Sequence, residues 1–460
     1  MQKNLFYGSL MDMLDSKDPL VVLADTIKWS KFEDEFAQYY SKEGRPAKPI
    51  RLMVGLLLLK QLENLSDENV VIAWKRNPYF QYFCGFSDFQ TALPCHSTDL
   101  VYFRNRIGKK GFEFIFKHSI EIHSNENLNE SQVIADTTIQ ESNLTYPTDG
   151  KLAIKIINHL HKIVKVENIK LRRSYIKEIK QHRINLRFFR HPKKIIKAKA
   201  SMKRLRTIAK TILRDIDRKF GDNLELHNKY ATKFYLYIRV LLQEKNTKNK
   251  IYSLHEIDAY AVNKGKDHKG YEYGTKASVV TTKNSGIIVG VSAHRENEHD
   301  SKTLKLALEN TISNLGSKTI NEVICDRGYR GSKQIIINNE TVIDISIPSN
   351  QQKKDTPEQI NIKKEKFRRR AAIEPIIGHL KSDHRMQRNY LKGFLGDQIN
   401  LLLAATAFNL KKWMNIYFYA FFTGNLSLLK EAYQQLQHQK ELIMFLLQLE
   451  ITMKFSNLDY

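Results

Sequence analysis

The chain has 460 residues, enough for two to four structural units that each bury a core, and its 42% hydrophobic and 10% aromatic content excludes a largely disordered protein. A formal net charge of +25 attracts polyanions; with no lipid-binding helix in the sequence, nucleic acid is the expected partner and a membrane is not. Cys84, Cys95 and Cys325 form no Cys-x-x-Cys pair, which excludes a disulfide framework and a cysteine zinc site and fits a reducing cytoplasm.

The N-terminal 20 residues lack a basic head followed by an apolar stretch, so no signal peptide is expected. Residues 1–125 read as a helical domain. In "KPIRLMVGLLLLKQLENLSDENVVIAWKRNPYFQYFCGF" one apolar helix breaks at Asn64-Leu65-Ser66. A second then starts with Ser66 as N-cap and Asp67 and Glu68 in its first turn, where carboxylates complement the helix dipole. A third helix, capped by Ser97 or Thr98 and ending near Gly108, turns Leu100 and Phe103 inward and Arg104, Arg106, Lys109 and Lys110 outward. Two readings stay open: a helix-turn-helix reader of DNA with those cations on its binding face, or a bundle whose last helix has a solvated face. Trp74, Tyr79, Phe80, Tyr82 and Phe83 read as core of these helices.

Residues 151–220 hold 23 Lys and Arg against 4 Asp and Glu. Ile154, Ile157, Leu160, Ile163 and Val164 recur at helical spacing, so residues 151–249 are expected to form long amphipathic helices inserted between sheet elements. Phe188 and Phe189 lie between Arg187 and Arg190, a mixture of ring and cation suited to phosphate contact; the alternative is a solvated face.

Beyond the insert the apolar period falls to two. "YEYGTKASVVTT" (271–282) and "GIIVGVSA" (286–293) predict two strands joined by a turn, Asp300 or Ser301 predicts a helix cap, and "EVICD" and "ETVIDISIPS" predict two further strands. With "QVIAD" first, the order is strand, helical insert, strand, strand, helix, strand, strand, helix. That is a mixed α/β sheet resembling the ribonuclease H fold, opened by a large insertion after its first strand. The expected domains are 1–125, 126–400 with the insert at 151–249, and a C-terminal helical segment at 401–460. In the last, "LLLAATAFNLKKWMNIYFYAFF" (401–422) reads as a buried helix, because Lys411 and Lys412 near its middle disfavour a membrane span.

Val133-Ile134-Ala135-Asp136 and Val323-Ile324-Cys325-Asp326 both end an apolar run on an aspartate, a way to deliver a carboxylate to the lip of a sheet. Glu374 offers a third acid. On a helix Lys381 falls within about 20° of Glu374. Arg370, four residues before Glu374, shares that face if the helix is continuous past Pro375, which prefers a first turn. Hard cations such as Mg2+ or Mn2+ take oxygen ligands, and two ions together stabilise the attacking and leaving oxygens of an in-line phosphoryl transfer. On that reading Asp136 bridges two ions, Asp326 and Glu374 complete one sphere each, and Arg370 and Lys381 neutralise phosphate. The alternative is a surface Arg-Glu-Lys ladder plus two turn aspartates. Arg327 and Tyr329 stand where a DNA backbone contact is expected, although Gly328 and Gly331 also mark a tight turn. His268, Lys269 and Lys276 read as cations around a sheet edge, there to meet DNA or to discourage edge pairing. His379 and His384 read as partly exposed helix residues rather than ligands.

"ADTTIQESNLTYPTD", "KGKDHKGYEYGTKASV", "NEHDSKTL", "CDRGYRG" and "RRRAAIEPIIGHLKSDHRMQRNYLKG", in this order, resemble the DDE transposases of bacterial insertion sequences, of the IS-five type, over residues 15 to 420. The resemblance implies a ribonuclease H-like catalytic domain using divalent metal, binding to the double-stranded terminal inverted repeats, strand cleavage and strand transfer into target DNA. It puts the triad on Asp136, Asp326 and Glu374 and supplies an Arg-x3-Glu-x6-Lys signature matched by Arg370, Glu374 and Lys381. Phe367 stands where the family often has Tyr. A homodimer is expected because two ends must be held together, and the implied location is the bacterial cytoplasm, associated with the nucleoid. The rivals are another ribonuclease H-like nuclease, such as a resolvase, and a catalytically inactive DNA-binding remnant that represses movement. The 425–460 tail reads as helical and partly apolar.

Overall fold

The protein is described here by a computed structural model that covers residues 9–418 apart from 42, 44–45, 124–127, 245, 267–268, 317–319, 332, 338–340 and 349–354; at Lys264, Lys266 and Lys269 it describes the backbone alone. His268, the side chain of Lys269 and the 425–460 tail therefore lie outside the described residues. Contacts divide the chain into two units, one drawn from residues 1–107, 114–127 and 406–460, the other from 108–113 and 128–405.

The first unit is helical: α1 (Leu10–Met13), α2 (Pro19–Thr26), α3 (Trp29–Ala37), α4 (Ile50–Leu62), α5 (Asp67–Arg76), α6 (Pro78–Phe83) and α7 (Ser97–Glu121). Apolar on all sides, α4 buries every residue from Leu52 to Leu62 and is the central post of this unit. Ser66 caps α5, its hydroxyl accepting the Asn69 N–H at 3.1 Å with Asp67 and Glu68 in the first turn, as the sequence leads one to expect. Trp74, Phe80 and Phe83 are core. The cap of α7 is His96, one residue ahead of the expected Ser97 or Thr98. That helix also does not end at Gly108 but kinks there, at φ 55° and ψ −165°, a conformation open to glycine for want of a Cβ.

Arg104 corrects the expectation of an outward cation. Its guanidinium is buried and forks onto the Asp67 carboxylate at 2.9 and 2.5 Å, and Lys60 meets the same carboxylate at 2.9 Å. Burial alone would push the Asp67 carboxyl up; Arg104 and Lys60 more than offset that and hold it below its ordinary value. Both cations are buried, so the Asp67 carboxylate is what compensates them; an unpaired charge there would be strongly disfavoured.

The second unit holds an eight-stranded mixed sheet: β1 (Gln132–Ser142), β2 (Tyr260–Lys266), β3 (Lys269–Thr282), β4 (Ile288–His294), β5 (Glu322–Ile324), β6 (Gln334–Ile337), β7 (Thr341–Ser346) and β8 (Arg388–Asn389). β3 is antiparallel to β1, β2 and β4, whereas β1, β5 and β7 run parallel, and β6 closes the far side antiparallel to β7. The central order β4-β3-β1-β5-β7 is that of a ribonuclease H-like sheet. α12 (Asp300–Leu315) connects β4 to β5 and packs on β4 and β3.

The long excursion from β1 to β2 is helical, as expected: α8 (Asp149–Val166), α9 (Ile176–Leu186), α10 (Ile195–Phe220) and α11 (Leu224–Leu242). These enclose a core of their own that includes Ile157, Leu160, Leu205, Ile208, Ile212 and Phe234. The apolar stripes face inward, and Lys197, Lys199, Lys203, Arg204 and Lys210 are left on the exposed face of α10. Cys84, Cys95 and Cys325 are all free and buried. Residues 393–418 are helical, with Leu401 to Ala407 buried; among the described residues no helix is long and apolar enough to cross a membrane.

Candidate active site

In the parallel ladder of β1 and β5, Val133 pairs with Val323 and Ile134 with Ile324. The two Val-Ile-x-Asp repeats are therefore in register, and Asp136 and Asp326 each fall two residues beyond the matched isoleucines. β5 ends at Ile324, but β1 continues to Ser142. Asp136 is thus inside its strand, not at the strand end that the sequence suggests. What ends is its neighbour: among the described residues, no strand covers that edge of β1 between β5 and the two-residue β8, which joins at Glu141.

The third acid arrives on α14 (Ile373–Ser382), which follows α13 (Pro357–Arg370) after a short break. Pro375 falls in the first turn of α14, the place proline prefers. Ala371 and Ala372 keep right-handed helical dihedrals, and Glu374 N–H bonds to Ala371 O at 3.1 Å. The break is thus one tightened turn that leaves Arg370 and Glu374 on a common face. Ile373 is fully buried against Ile134 and Ile324, with Phe367 and Ile377 around it. Alternation along β1 puts Ile134 and Asp136 on the same face, so the contact that seats α14 also brings Glu374 to the aspartates. Phe367 serves this apolar contact.

Arg370 stands between the three acids. One terminal nitrogen is 3.3 Å from Asp136 Oδ2 and 3.9 Å from Asp326 Oδ2, and the other is 3.5 Å from Glu374 Oε1. The second oxygen of each aspartate is tied to backbone: Asp136 Oδ1 accepts the Thr137 N–H at 2.7 Å, and Asp326 Oδ1 accepts the Gly328 N–H at 2.8 Å. The side chains are 16%, 36% and 63% exposed for Asp136, Asp326 and Glu374, a gradient from the sheet outward. Arg370 Nε is buried without a hydrogen-bond partner, so the guanidinium is not held by every donor it has.

Carboxylate oxygens are the donors that Mg2+ and Mn2+ prefer, and a cation, the guanidinium, already draws these three together. Among the described residues, no group of three or more His, Cys, Asp or Glu side chains is gathered closely enough to hold a metal as it stands. The donor chemistry fits divalent ions, and the spacing is that of a guanidinium-bridged cluster.

Lys381 lies two turns along α14, half-buried. His379 is exposed and pairs with Asp383 at 2.7 Å. Arg106, Lys109, Lys110, Arg187, Arg190 and Arg327 are exposed; Arg106 lies over the Tyr40 ring at 4.5 Å, and Lys109 pairs with Glu113. Two other expected contacts are corrected. Tyr329 is only 2% exposed, its hydroxyl enclosed and its phenol pushed well above the ordinary value by burial, so it faces the core and not a DNA backbone. Lys276 is buried on β3 between β1 and β4, not at an edge, and its ammonium meets Asp300 at 2.9 Å.

Residues 8–106 match the family described as Transposase domain (DUF772), and residues 246–410 match the Transposase DDE domain. The chain belongs to the DDE transposases of insertion sequences. Within this transposase the second match contains Asp326, Arg370, Glu374 and Lys381, whereas Asp136 and the four helices α8 to α11 of the insert lie outside both matched spans. A Rhizobium meliloti protein described as "Uncharacterized protein ORF8 in nfe locus" is 38% identical over 194 residues, covering 41% of this chain and 94% of that protein. No solved structure matched the chain. Sequence reasoning passed over Thr137, and it read Asp300 or Ser301 as a helix cap; the cap is His299, and the Asp300 carboxylate accepts the Thr137 hydroxyl at 2.9 Å.

Proposed function

We propose that the chain binds the terminal inverted repeats of an insertion sequence, cuts the DNA at the element's ends and joins them to target DNA in a metal-dependent phosphoryl transfer. The observation that carries this reading is the approach of three carboxylates from three separate elements to within 3.9 Å of one guanidinium. Two Mg2+ or Mn2+ ions, when bound, would supply charge stabilisation for the attacking and leaving oxygens. Asp136, Asp326 and Glu374 would hold these ions through their carboxylate oxygens. The backbone N–H groups on Asp136 and Asp326 fix both rotamers and leave Oδ2 of each aimed at the shared centre. Arg370, once it leaves the acids, is a planar fork for a scissile phosphate, with Lys381 on α14 as a second cation.

DNA is held by exposed cations: Arg106, Lys109 and Lys110 on α7, Arg187 and Arg190 beside Phe188 and Phe189, the outer face of α10, and Arg327 after Asp326; Lys269, whose side chain lies outside the described residues, is a further cation expected to meet it. The 1–125 domain and the 151–249 insert share end recognition, and residues 126–400 hold the chemistry. Two ends must be processed together, which calls for a homodimer, and the work is done in the bacterial cytoplasm on the nucleoid.

The test is cleavage of a labelled fragment from the gene's own flank by the wild type and Asp136→Asn, with Mg2+, with Mn2+ and with EDTA. Cutting at the element boundary that requires both metal and Asp136 is the expected result. Tight end binding with wild type and variant equally inert in every metal would leave the repressor reading; absence of end-specific binding would overturn both.

A further inference from the structure

Behind the site, on the other face of β1, a half-buried threonine and aspartate and a buried lysine make a second arrangement. Thr137 follows Asp136 and points to the opposite side of the sheet by strand alternation. Its hydroxyl donates to Asp300 Oδ1 at 2.9 Å, while its backbone N–H donates to Asp136 Oδ1 at 2.7 Å. The same Asp300 oxygen receives the buried Lys276 ammonium at 2.9 Å, and that ammonium is also anchored on Glu298 O at 2.6 Å. Asp300 Oδ2 points to the turn after β5: a Cβ placed on Gly328 would stand 3.1 Å from it and 2.9 Å from Asp326 Oδ1. One carboxylate is thus bonded to the residue that holds Asp136 and lies beside the glycine whose N–H holds Asp326.

We infer that Asp300 is a positioning residue of the active site, locked by Lys276 and bracing Asp136 through Thr137 and the Asp326 turn through Gly328. A helix-capping role does not account for it. His299 fills that role, its ring nitrogen accepting the Ser301 N–H, and the Asp300 carboxylate is turned away from the helix end toward β1 and β3. Nor is it a surface ion pair, because Lys276 is buried and spans to a main-chain carbonyl as well. Gly328 fits the same logic: any side chain there would press on Asp326 Oδ1 and Asp300 Oδ2 together. Partners that orient metal ligands are typically worth about 10–100-fold in metal affinity or activity.

This inference rests on the proposed metal-dependent reaction, so its test reads metal binding apart from turnover. Mn2+ is titrated calorimetrically into the full chain without DNA, and end cleavage, end binding and the thermal midpoint are measured alongside, for the wild type, Thr137→Val, Asp300→Asn and the double variant. Thr137→Val is the decisive form, because it cuts the link to Asp136 while leaving the Asp300–Lys276 pair in place. The expected result is Mn2+ binding about tenfold weaker in Thr137→Val, cleavage slowed by a similar factor, end binding and midpoint unchanged, and a double variant no worse than Asp300→Asn alone. Wild-type Mn2+ affinity in Thr137→Val, or losses that follow the midpoint and add in the double variant, would overturn it. If the wild type binds Mn2+ yet cuts nothing, the reaction reading fails while the affinity comparison still decides the positioning role. If the wild type binds no Mn2+, both fall.

Discussion

Replacing Arg370 by Gln removes the one cation that three carboxylates share. At an effective dielectric of about 20, a unit charge at the Asp136 and Asp326 distances is worth about 4–5 kcal/mol per pair before desolvation. Burial of the guanidinium, four-fifths covered, takes back much of that, and Glu374 is too exposed to add more than about 1 kcal/mol. The net loss is about 3 kcal/mol in metal-free protein, which lowers the midpoint of the catalytic unit by about 6–12 °C at 2–4 °C per kcal/mol. Mg2+ or Mn2+ then offsets more of the loss in the variant than it adds to wild type, because in wild type the ion must displace the guanidinium, whereas in the variant it has no guanidinium to displace. Thermal melts of both proteins in EDTA and across a metal titration measure this. Equal midpoints in EDTA, or equal metal-induced shifts, would refute the role of Arg370 as the cation that holds the acids together.

Other substitutions separate fold from function. Arg104→Ala is expected to cost about 3 kcal/mol by breaking a buried pair and leaving Lys60 as the cation on the Asp67 carboxylate, while leaving the salt dependence of end binding unchanged; Arg187→Ala with Arg190→Ala should do the reverse, lowering the slope of log affinity against log salt by about 2 with little change in urea midpoint. Ile373→Ala, which empties the contact with Ile134 and Ile324, is expected to cost about 2–5 kcal/mol and to slow cleavage further than its stability loss explains; activity measured well below the melting range tests that. Asp397, enclosed by Thr275, Asn389 and Gln140, is pushed up to about 6 by burial. A raised acid contributes stability that is complete below its unfolded value of about 3.9 and is lost as pH rises through about 6, a span of about 3 kcal/mol. Asp397→Asn should therefore gain stability relative to wild type between about pH 4 and pH 7, read as diverging urea midpoints; a constant difference would contradict the buried carboxylate.

The site was legible in outline because its defining pattern is local. Two Val-Ile-x-Asp runs can be read without knowing that they pair, and Glu374 and Arg370 are spaced for one helical face. Their register was not legible, nor was the fact that Asp136 lies inside β1: that depends on where β5 stops, a property of the neighbouring strand. Arg104, Lys276 and Tyr329 read as solvent-facing for the same reason. The partners that bury the two cations, Asp67 and Asp300, lie on other elements, and single-chain periodicity carries no trace of such pairing. The short β2, β6 and β8 escaped notice because four or fewer alternating residues, or a lysine-rich run, resemble loop; they exist because β3, β7 and β1 offer them hydrogen bonds. The helical insert was clear from its 3.6-residue spacing, and its internal core follows from it.

The most direct test of the triad is Glu374→Gln, because Glu374 is largely exposed and its neutral isostere leaves the fold and the DNA-holding cations intact. Wild type and variant are given the labelled element end with Mg2+, binding and cutting being followed in the same samples. The expected result is equal end binding, boundary cleavage by wild type, and cleavage lost by at least about a hundredfold in the variant, about 2.7 kcal/mol of transition-state stabilisation. Undiminished cutting by Glu374→Gln would contradict the assignment of the third acid and, with it, the proposed site.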